Sequence, residues 1–262
     1  MSKLIDRINV YTHYKPLLRQ LVKKDIKLKY RRSFLGYVWS IMNPLLIMII
    51  MVGVFSNMFR FDIQNYPVYL IIGQTIYNFV SEATNQAMWS IIGNAALLKK
   101  IYVPKYIFTV SKITSSFVNT LFALGAMLIV FIVCQVRFHA YMLFLPVILL
   151  QVYIFCIGLG LILAQATVFF RDIQYIYGAC LTAWMYLTPI FYPIGALPEG
   201  LANGIKSFNP LFVYITQFRL IVLEGLFPDW QMILAGSAWA FGSAFIGTLV
   251  FMRTQDKFIL YI

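Results

Sequence analysis

The stretch that most limits this chain is Lys27–Leu46, KLKYRRSFLGYVWSIMNPLL, where a basic run passes directly into apolar sequence. No charged residue occurs between Arg32 and Arg60, and a helix needs about 20 such residues to cross the hydrocarbon of a bilayer. Lys27, Lys29, Arg31 and Arg32 stand against its start, and basic residues flanking a first span hold that end in the cytoplasm. A chain with this pattern begins inside and goes straight into a membrane.

Composition agrees. With 61% hydrophobic and 11% charged residues and a mean hydropathy of +0.79, the chain is far from a soluble average. The basic first 30 residues hold no apolar run followed by a small-residue cleavage site, so no signal peptide is expected. Cys134, Cys156 and Cys180 all lie in apolar stretches and read as core thiols. No Cys/His spacing suits a metal.

Charge-poor segments place span 1 near Leu35–Phe59, span 2 from Tyr66, span 3 near Ile113–Val136 and span 4 near Tyr141–Phe169. Span 5 falls near Ile173–Tyr192 and span 6 near Met232–Met252. Six spans put both termini on one side. Under that topology all but four of the 21 basic residues (Arg60, Arg137, Lys206 and Arg219) face the cytoplasm, which supports N-in, C-in. The net charge of +12 then reads as a topology signal, and nucleic acid is not expected as a partner. Ser207–Phe227 is apolar enough for a seventh span, but Arg219, Glu224 and Asn209-Pro210 interrupt it. A re-entrant or interfacial element is preferred there. The organisation expected is a cytoplasmic arm over 1–34, a transmembrane domain over 35–252 and a short cytoplasmic tail over 253–262.

Four segments could carry function. The arm Leu17–Lys29 is amphipathic at helical spacing. Leu17, Leu18, Leu21, Val22, Ile26 and Leu28 share one half of the wheel, while Arg19, Lys23, Lys24 and Lys27 share the other. Asp25 and Lys29 intrude on the apolar half. Such a helix lies along a membrane surface, as a topology anchor or as a guard for an anionic head group. The span 2–3 connection around Asn94, Leu97, Leu98, Lys99, Lys100, Tyr102, Pro104 and Lys105 is basic and amphipathic, either a solvated loop or a short helix that docks on a partner. In the turn holding Arg171 and Asp172, capping of span 5 by Asp172 is the preferred reading. Glu82, in a polar patch of span 2, is a functional candidate by default; a position near the inner third of an over-long helix weighs equally. Tyr77, Trp184 and Tyr186 are candidates for lining a pathway. On span 6, Gly236, Ala240, Ser243, Ala244 and Gly247 form a small-residue face suited to close packing.

The absences also inform. There is no phosphate-binding loop for ATP, no Ser/His/Asp set, and only His13 and His139 as histidines. No catalytic residue is proposed.

The strings KLKYRRSFLGYVWSIMNPLL (27–46), LLKKIYVPK (97–105), VFFRDIQYI (168–176), TPIFYPIGALP (188–198) and FNP (208–210), in this order, resemble the membrane subunit of ABC-2-type polysaccharide or teichoic-acid exporters. The resemblance implies an all-α integral membrane protein with six transmembrane helices, an interfacial N-terminal helix and a re-entrant element between spans 5 and 6. It implies a homodimer in the bacterial inner membrane, two copies of an ABC ATPase that binds ATP and Mg, and a lipid-linked glycan such as O-antigen, capsule or wall polymer. On this reading, Asn94–Lys105 with Arg171 and Asp172 couples to the ATPase, and Arg19, Lys23, Lys24, Lys27, Lys29, Arg31 and Arg32 gate the head group. The alternatives are an ABC-2 exporter of a drug or other lipid, or a self-contained secondary transporter using Glu82.

Overall fold

The computed structural model describes residues 2–31, 34–58, 63, 65–100 and 103–261. Its α-helices are α1 (Ser2–Tyr30), α2 (Trp39–Met58), α3 (Tyr66–Met88), α4 (Ala95–Leu98), α5 (Tyr106–Val133), α6 (Leu145–Phe169), α7 (Ile173–Leu187), α8 (Glu199–Phe208), α9 (Pro210–Arg219) and α10 (Trp230–Thr254). Among the described residues, four helical stretches are long and apolar enough to cross a bilayer: Gly36–Phe55, Tyr106–Val133, Ala140–Phe169 and Trp230–Leu260. They correspond to expected spans 1, 3, 4 and 6.

The other two expected spans differ in instructive ways. Helix α3 has 23 residues, about 35 Å at 1.5 Å per residue, but its second half carries Ser81, Glu82, Thr84, Asn85 and Gln86. Their polar atoms are met locally and by α5: Thr84 donates to Val80 O (2.7 Å), Asn85 to Ser81 O (2.8 Å), and Glu82 accepts from Gln86 (2.9 Å) and Asn119 (3.0 Å). Helix α7 has only 15 residues, about 22 Å, not the 20 or so expected over Ile173–Tyr192. It stops because Pro189 disfavours helical backbone at the preceding residue; Thr188 is extended, with φ −93° and ψ 131°.

Small residues set the closest helix crossing. A Cβ built on Gly158 of α6 would lie 2.1 Å from the carbonyl carbon of Ser243 in α10, and one on Gly247 would lie 2.2 Å from the Gly158 oxygen. Two backbones approach this closely only where side chains are absent. Gly160 faces the other way, against Ile113 and Ala87. The small-residue face read on span 6 therefore meets α6. A polar bond reinforces the contact, Gln151 of α6 donating to the Ser237 hydroxyl (2.9 Å), and Tyr214 of α9 joins the same face by donating to the Gly236 carbonyl (3.0 Å).

The stretch 207–227 is not one helix. It breaks at Asn209, whose side-chain oxygen accepts from Leu211 N (3.1 Å) and Phe212 N (3.4 Å) and so caps α9, with Pro210 in the first turn. The same Asn209 accepts from the Trp184 indole (2.9 Å) and donates to the Thr188 hydroxyl (2.9 Å), tying α9 to the end of α7. A π-type turn over Leu220–Glu224 follows and ends at Gly225, φ +66°.

Candidate functional site

Helix α1 lies against α3 and α5 at one end of the bundle. Leu21 is buried, with Leu17 and Leu18 beside it in a cluster that also holds Ile91, Leu98, Phe108 and Phe258. Arg19, Lys23, Lys24 and Lys27 are exposed, as the wheel requires. The two residues that spoiled the wheel are the ones that hold the helix in place. Asp25 Oδ1 accepts from Lys112 Nζ of α5 (2.9 Å), and Lys29 Nζ donates to Glu82 Oε1 of α3 (2.7 Å). Glu82 also accepts from Gln86 Nε2 (2.9 Å) and from Asn119 Nδ2 (3.0 Å). The Lys29 and Glu82 side chains are 41% and 28% exposed, so this pair contributes on the order of 1 kcal/mol or less on its own.

Beneath this contact lies a cleft of about 420 Å³, lined by Asp25, Lys29, Glu82, Gln86, Lys112 and Asn119 among others. A second, of about 560 Å³, shares Lys29, Glu82 and Asn119 and extends along Ser40, Asn43 and Pro44 of α2. Glu82 thus sits where α1, α3 and α5 meet, with a cleft of mixed polar and apolar lining on both sides. Of the gate residues, Arg31 is exposed and Arg32 lies outside the described residues.

The connection after α3 folds as a 3-10 turn over Ile92–Asn94 followed by the one-turn α4. Asn94 Nδ2 donates to Ser90 O (2.8 Å), Leu98 is buried in the same cluster as Leu21, and Lys99 and Lys100 are exposed. Tyr102 lies outside the described residues. Pro104 leads into α5, and Lys105 donates to the Gln255 carbonyl and sits 5.5 Å from the centre of the Phe258 ring. The last residues are therefore no loose tail: Gln255–Leu260 folds back with Phe258 fully buried against Phe169 and Phe251.

Arg171 and Asp172 are exposed in the turn between α6 and α7. The expected cap is not formed. Asp172 has helical backbone angles, φ −69° and ψ −14°, and its side chain makes no capping hydrogen bond; a capping residue needs extended geometry to aim its oxygen at the first-turn amides.

The lining candidates fare unevenly. Tyr77 is buried, its hydroxyl donating to Leu181 O (2.9 Å), which makes it a pin between α3 and α7. Trp184 is half-buried and bound to Asn209. Tyr186 is exposed.

Sequence reasoning missed the centre at the other end. Arg219, expected as one of the outer basic residues and as an interruption of an apolar stretch, is 8% exposed. Its guanidinium donates to three backbone carbonyls: Tyr69 (2.9 and 3.2 Å), Pro189 (2.7 Å) and Ile190 (3.1 Å). It also lies 3.3 Å from the Tyr69 ring centre. Gly73 makes the room; a Cβ there would stand 2.9 Å from Arg219 Nη2. The signal was available: an arginine in apolar sequence, two helices away from a Thr-Pro that must leave carbonyls unpaired.

A family model described as ABC-2 type transporter matches residues 16–223, from the arm through the π-type turn. The chain belongs to the ABC-2 type transporter family. Among curated relatives it is similar to an O-antigen export system permease protein RfbA of Myxococcus xanthus, 29% identical over 94% of this chain and 95% of that one. It is also similar to RfbA of Klebsiella pneumoniae (27% identical, 92% and 93% covered) and to the polysialic acid transport protein KpsM of Escherichia coli (22%, 94% and 96%). As an ABC-2 chain with several span-length apolar helices, it is a multi-pass membrane protein and a transport component rather than an enzyme. The ABC-2 match covers both the α1 contact and the Arg219 centre.

Proposed function

We propose that this chain is the membrane-spanning permease of an ATP-driven exporter that moves a lipid-linked cell-surface polysaccharide, of the O-antigen or capsule kind, out of the cytoplasm. One observation carries the reading: the family match, together with end-to-end similarity to O-antigen and polysialic acid export permeases. The bacterial inner membrane is the location that follows, with six crossings, α3 and α7 completing the four span-length helices, and both termini inside. In that orientation the exposed basic face of α1, with Lys99 and Lys100, meets the anionic cytoplasmic leaflet. The short helices α8 and α9 then form a re-entrant element on the outer side. Two copies of the chain act with two ATPase subunits. The Asn94–Lys105 element, with Lys99 and Lys100 exposed beside the buried Leu98, receives the ATPase, and the arm guards the head-group entrance.

The self-contained-transporter alternative rested on Glu82 as a proton or ion carrier. Its engagement by Lys29, Gln86 and Asn119 gives that reading no support, and the family match favours the ATP-driven one.

The test is to purify the tagged chain from its native membrane in mild detergent, identify what accompanies it, and delete its gene. A stoichiometric ATPase and loss of surface polymer with build-up of lipid-linked glycan inside the cell are expected. A chain that purifies without a nucleotide-binding partner, from cells whose surface polymer survives the deletion, would overturn the proposal.

A further inference from the structure

We propose that the pocket beside Arg219, on the outer side in the orientation proposed above, is a saccharide-binding subsite that holds a short stretch of the emerging polymer. The inference rests on the proposed export of a polysaccharide and adds a place, and a set of contacts, at the exit. The pocket has a volume of about 470 Å³ and is lined by Asn65, Tyr69, Phe212, Thr216, Arg219 and Glu224 among apolar neighbours. Pockets that take small molecules span about 300–1,000 Å³. One wall is α9, where Phe212, Thr216 and Arg219 recur at helical spacing and share a face. Asn65 and Tyr69 come from the start of α3.

Three polar groups in this pocket have bonding capacity to spare. A guanidinium carries five N–H donors. In Arg219, Nε, both donors of Nη2 and one of Nη1 go to backbone carbonyls, which leaves one Nη1 donor over among the described residues. No carboxylate pairs with this buried charge, since the ion pairs among the described residues are Lys29–Glu82 and Lys112–Asp25. Glu224 lines the same pocket, is exposed, and makes neither an ion pair nor a hydrogen bond among the described residues. It follows Arg219 in the same segment, yet across the π-type turn over Leu220–Glu224 the two do not meet. Asn65, with φ 54°, makes no capping bond with its side chain and is exposed at the head of α3.

That combination narrows the ligand. A simple anion would suit Arg219 but meet the Glu224 carboxylate, and a simple cation would meet the reverse. An alkyl chain would leave the carboxylate, the amide and the spare donor all unpaired. A hydroxyl both accepts and donates, so the hydroxyls of one sugar accept from Arg219 and donate to Glu224, both of them the stronger, charge-assisted kind of bond. The Asn65 amide and the Thr216 hydroxyl serve in either sense. One face of the Tyr69 ring is taken by the guanidinium at 3.3 Å, which leaves the half-buried Phe212 as the flat apolar surface for the C–H face of a pyranose. Because three carbonyls already fix Arg219, little ordering is needed when a ligand arrives.

The experiment titrates the purified full-length chain in detergent with oligosaccharides released by mild acid from the source strain's own surface polysaccharide, read by calorimetry. Glu224→Ala removes an exposed, unpaired side chain and should bind them roughly tenfold weaker, about 1.4 kcal/mol; Phe212→Ala should weaken them several-fold. Should either variant fail to fold, Thr216→Cys in a chain whose Cys134 and Cys180 are alanine gives a second reading, because the oligosaccharide should slow its maleimide labelling several-fold. No binding by the parent, equal affinity in parent and Glu224→Ala, or unprotected Thr216→Cys would overturn the inference. Dihexanoyl phosphatidylethanolamine that binds the parent and is weakened by Glu224→Ala, where the oligosaccharide is not, would assign the pocket to a zwitterionic lipid and overturn it too. Gene deletion separates the failures. Where deletion removes the surface polymer but its oligosaccharides ignore the pocket, only this inference falls; where the polymer survives deletion, the proposed function falls and this inference with it.

Discussion

Replacing Arg219 by lysine keeps the charge and removes the geometry. The guanidinium makes four donations to three carbonyls on two separate segments, α3 and the extended stretch after α7. A single ammonium on a shorter chain cannot span Tyr69, Pro189 and Ile190 together. Losing about two charge-assisted bonds at about 1.5–3 kcal/mol each gives about 3–6 kcal/mol. The Tyr69 hydroxyl also donates to the Pro189 carbonyl (3.2 Å), which leaves that acceptor partly satisfied and favours the lower end. The expected loss is about 3 kcal/mol, roughly 150-fold in the unfolding equilibrium. Cys156 offers the assay, because it is fully buried and reacts with a maleimide only when the bundle opens. With Cys134 and Cys180 replaced by alanine, Arg219→Lys should label Cys156 on the order of a hundredfold faster in detergent. Labelling within threefold of the parent would show that the three carbonyls find other partners and that the clamp reasoning is wrong.

Other outcomes follow from the same coordinates. Gly158→Ala should force α6 and α10 apart and cost at least about 1–3 kcal/mol, seen as a lower melting temperature in detergent, while Gly178→Ala, whose added carbon meets nothing within 4 Å outside its own helix, should keep or raise it through the better helix propensity of alanine. Lys99→Glu with Lys100→Glu changes only exposed residues, so melting should be preserved while co-purification of the ATPase and polymer export are lost; survival of both would remove the coupling assignment. Phe258→Ala should cost about 3–5 kcal/mol and raise hydrogen exchange in residues 103–108 and 255–260 first, since Lys105 and Phe258 hold those segments together.

The long apolar helices were readable because hydropathy and length suffice for a span, and the basic boundaries of α1 and α2 marked their ends. The end of α7 was overrun by several residues because apolar sequence continues past Thr188-Pro189 while the backbone does not. Asn209-Pro210 was legible as a break; its second job, binding Trp184 and Thr188, depends on a contact 20 or more residues away. Asp25 and Lys29 looked like defects in an amphipathic pattern because a helical wheel knows only solvent and core. Here the third environment is a pair of oppositely charged side chains on neighbouring helices. Asp172 was misjudged for a local reason: its backbone continues the helix, so its carboxylate is not aimed at the first-turn amides.

Leu21 of the arm, Leu98 of the turn after α3 and Phe258 of the folded-back terminus belong to one buried cluster. Packed interiors yield little to compression, so a displacement of the 92–98 turn is not absorbed where it arises. It arrives at the root of α1 and at the terminus in the same instant, without travelling through the membrane-length helices. Three surface features that look separate along the chain therefore share a single mechanical degree of freedom, and none of them can be timed independently of the other two.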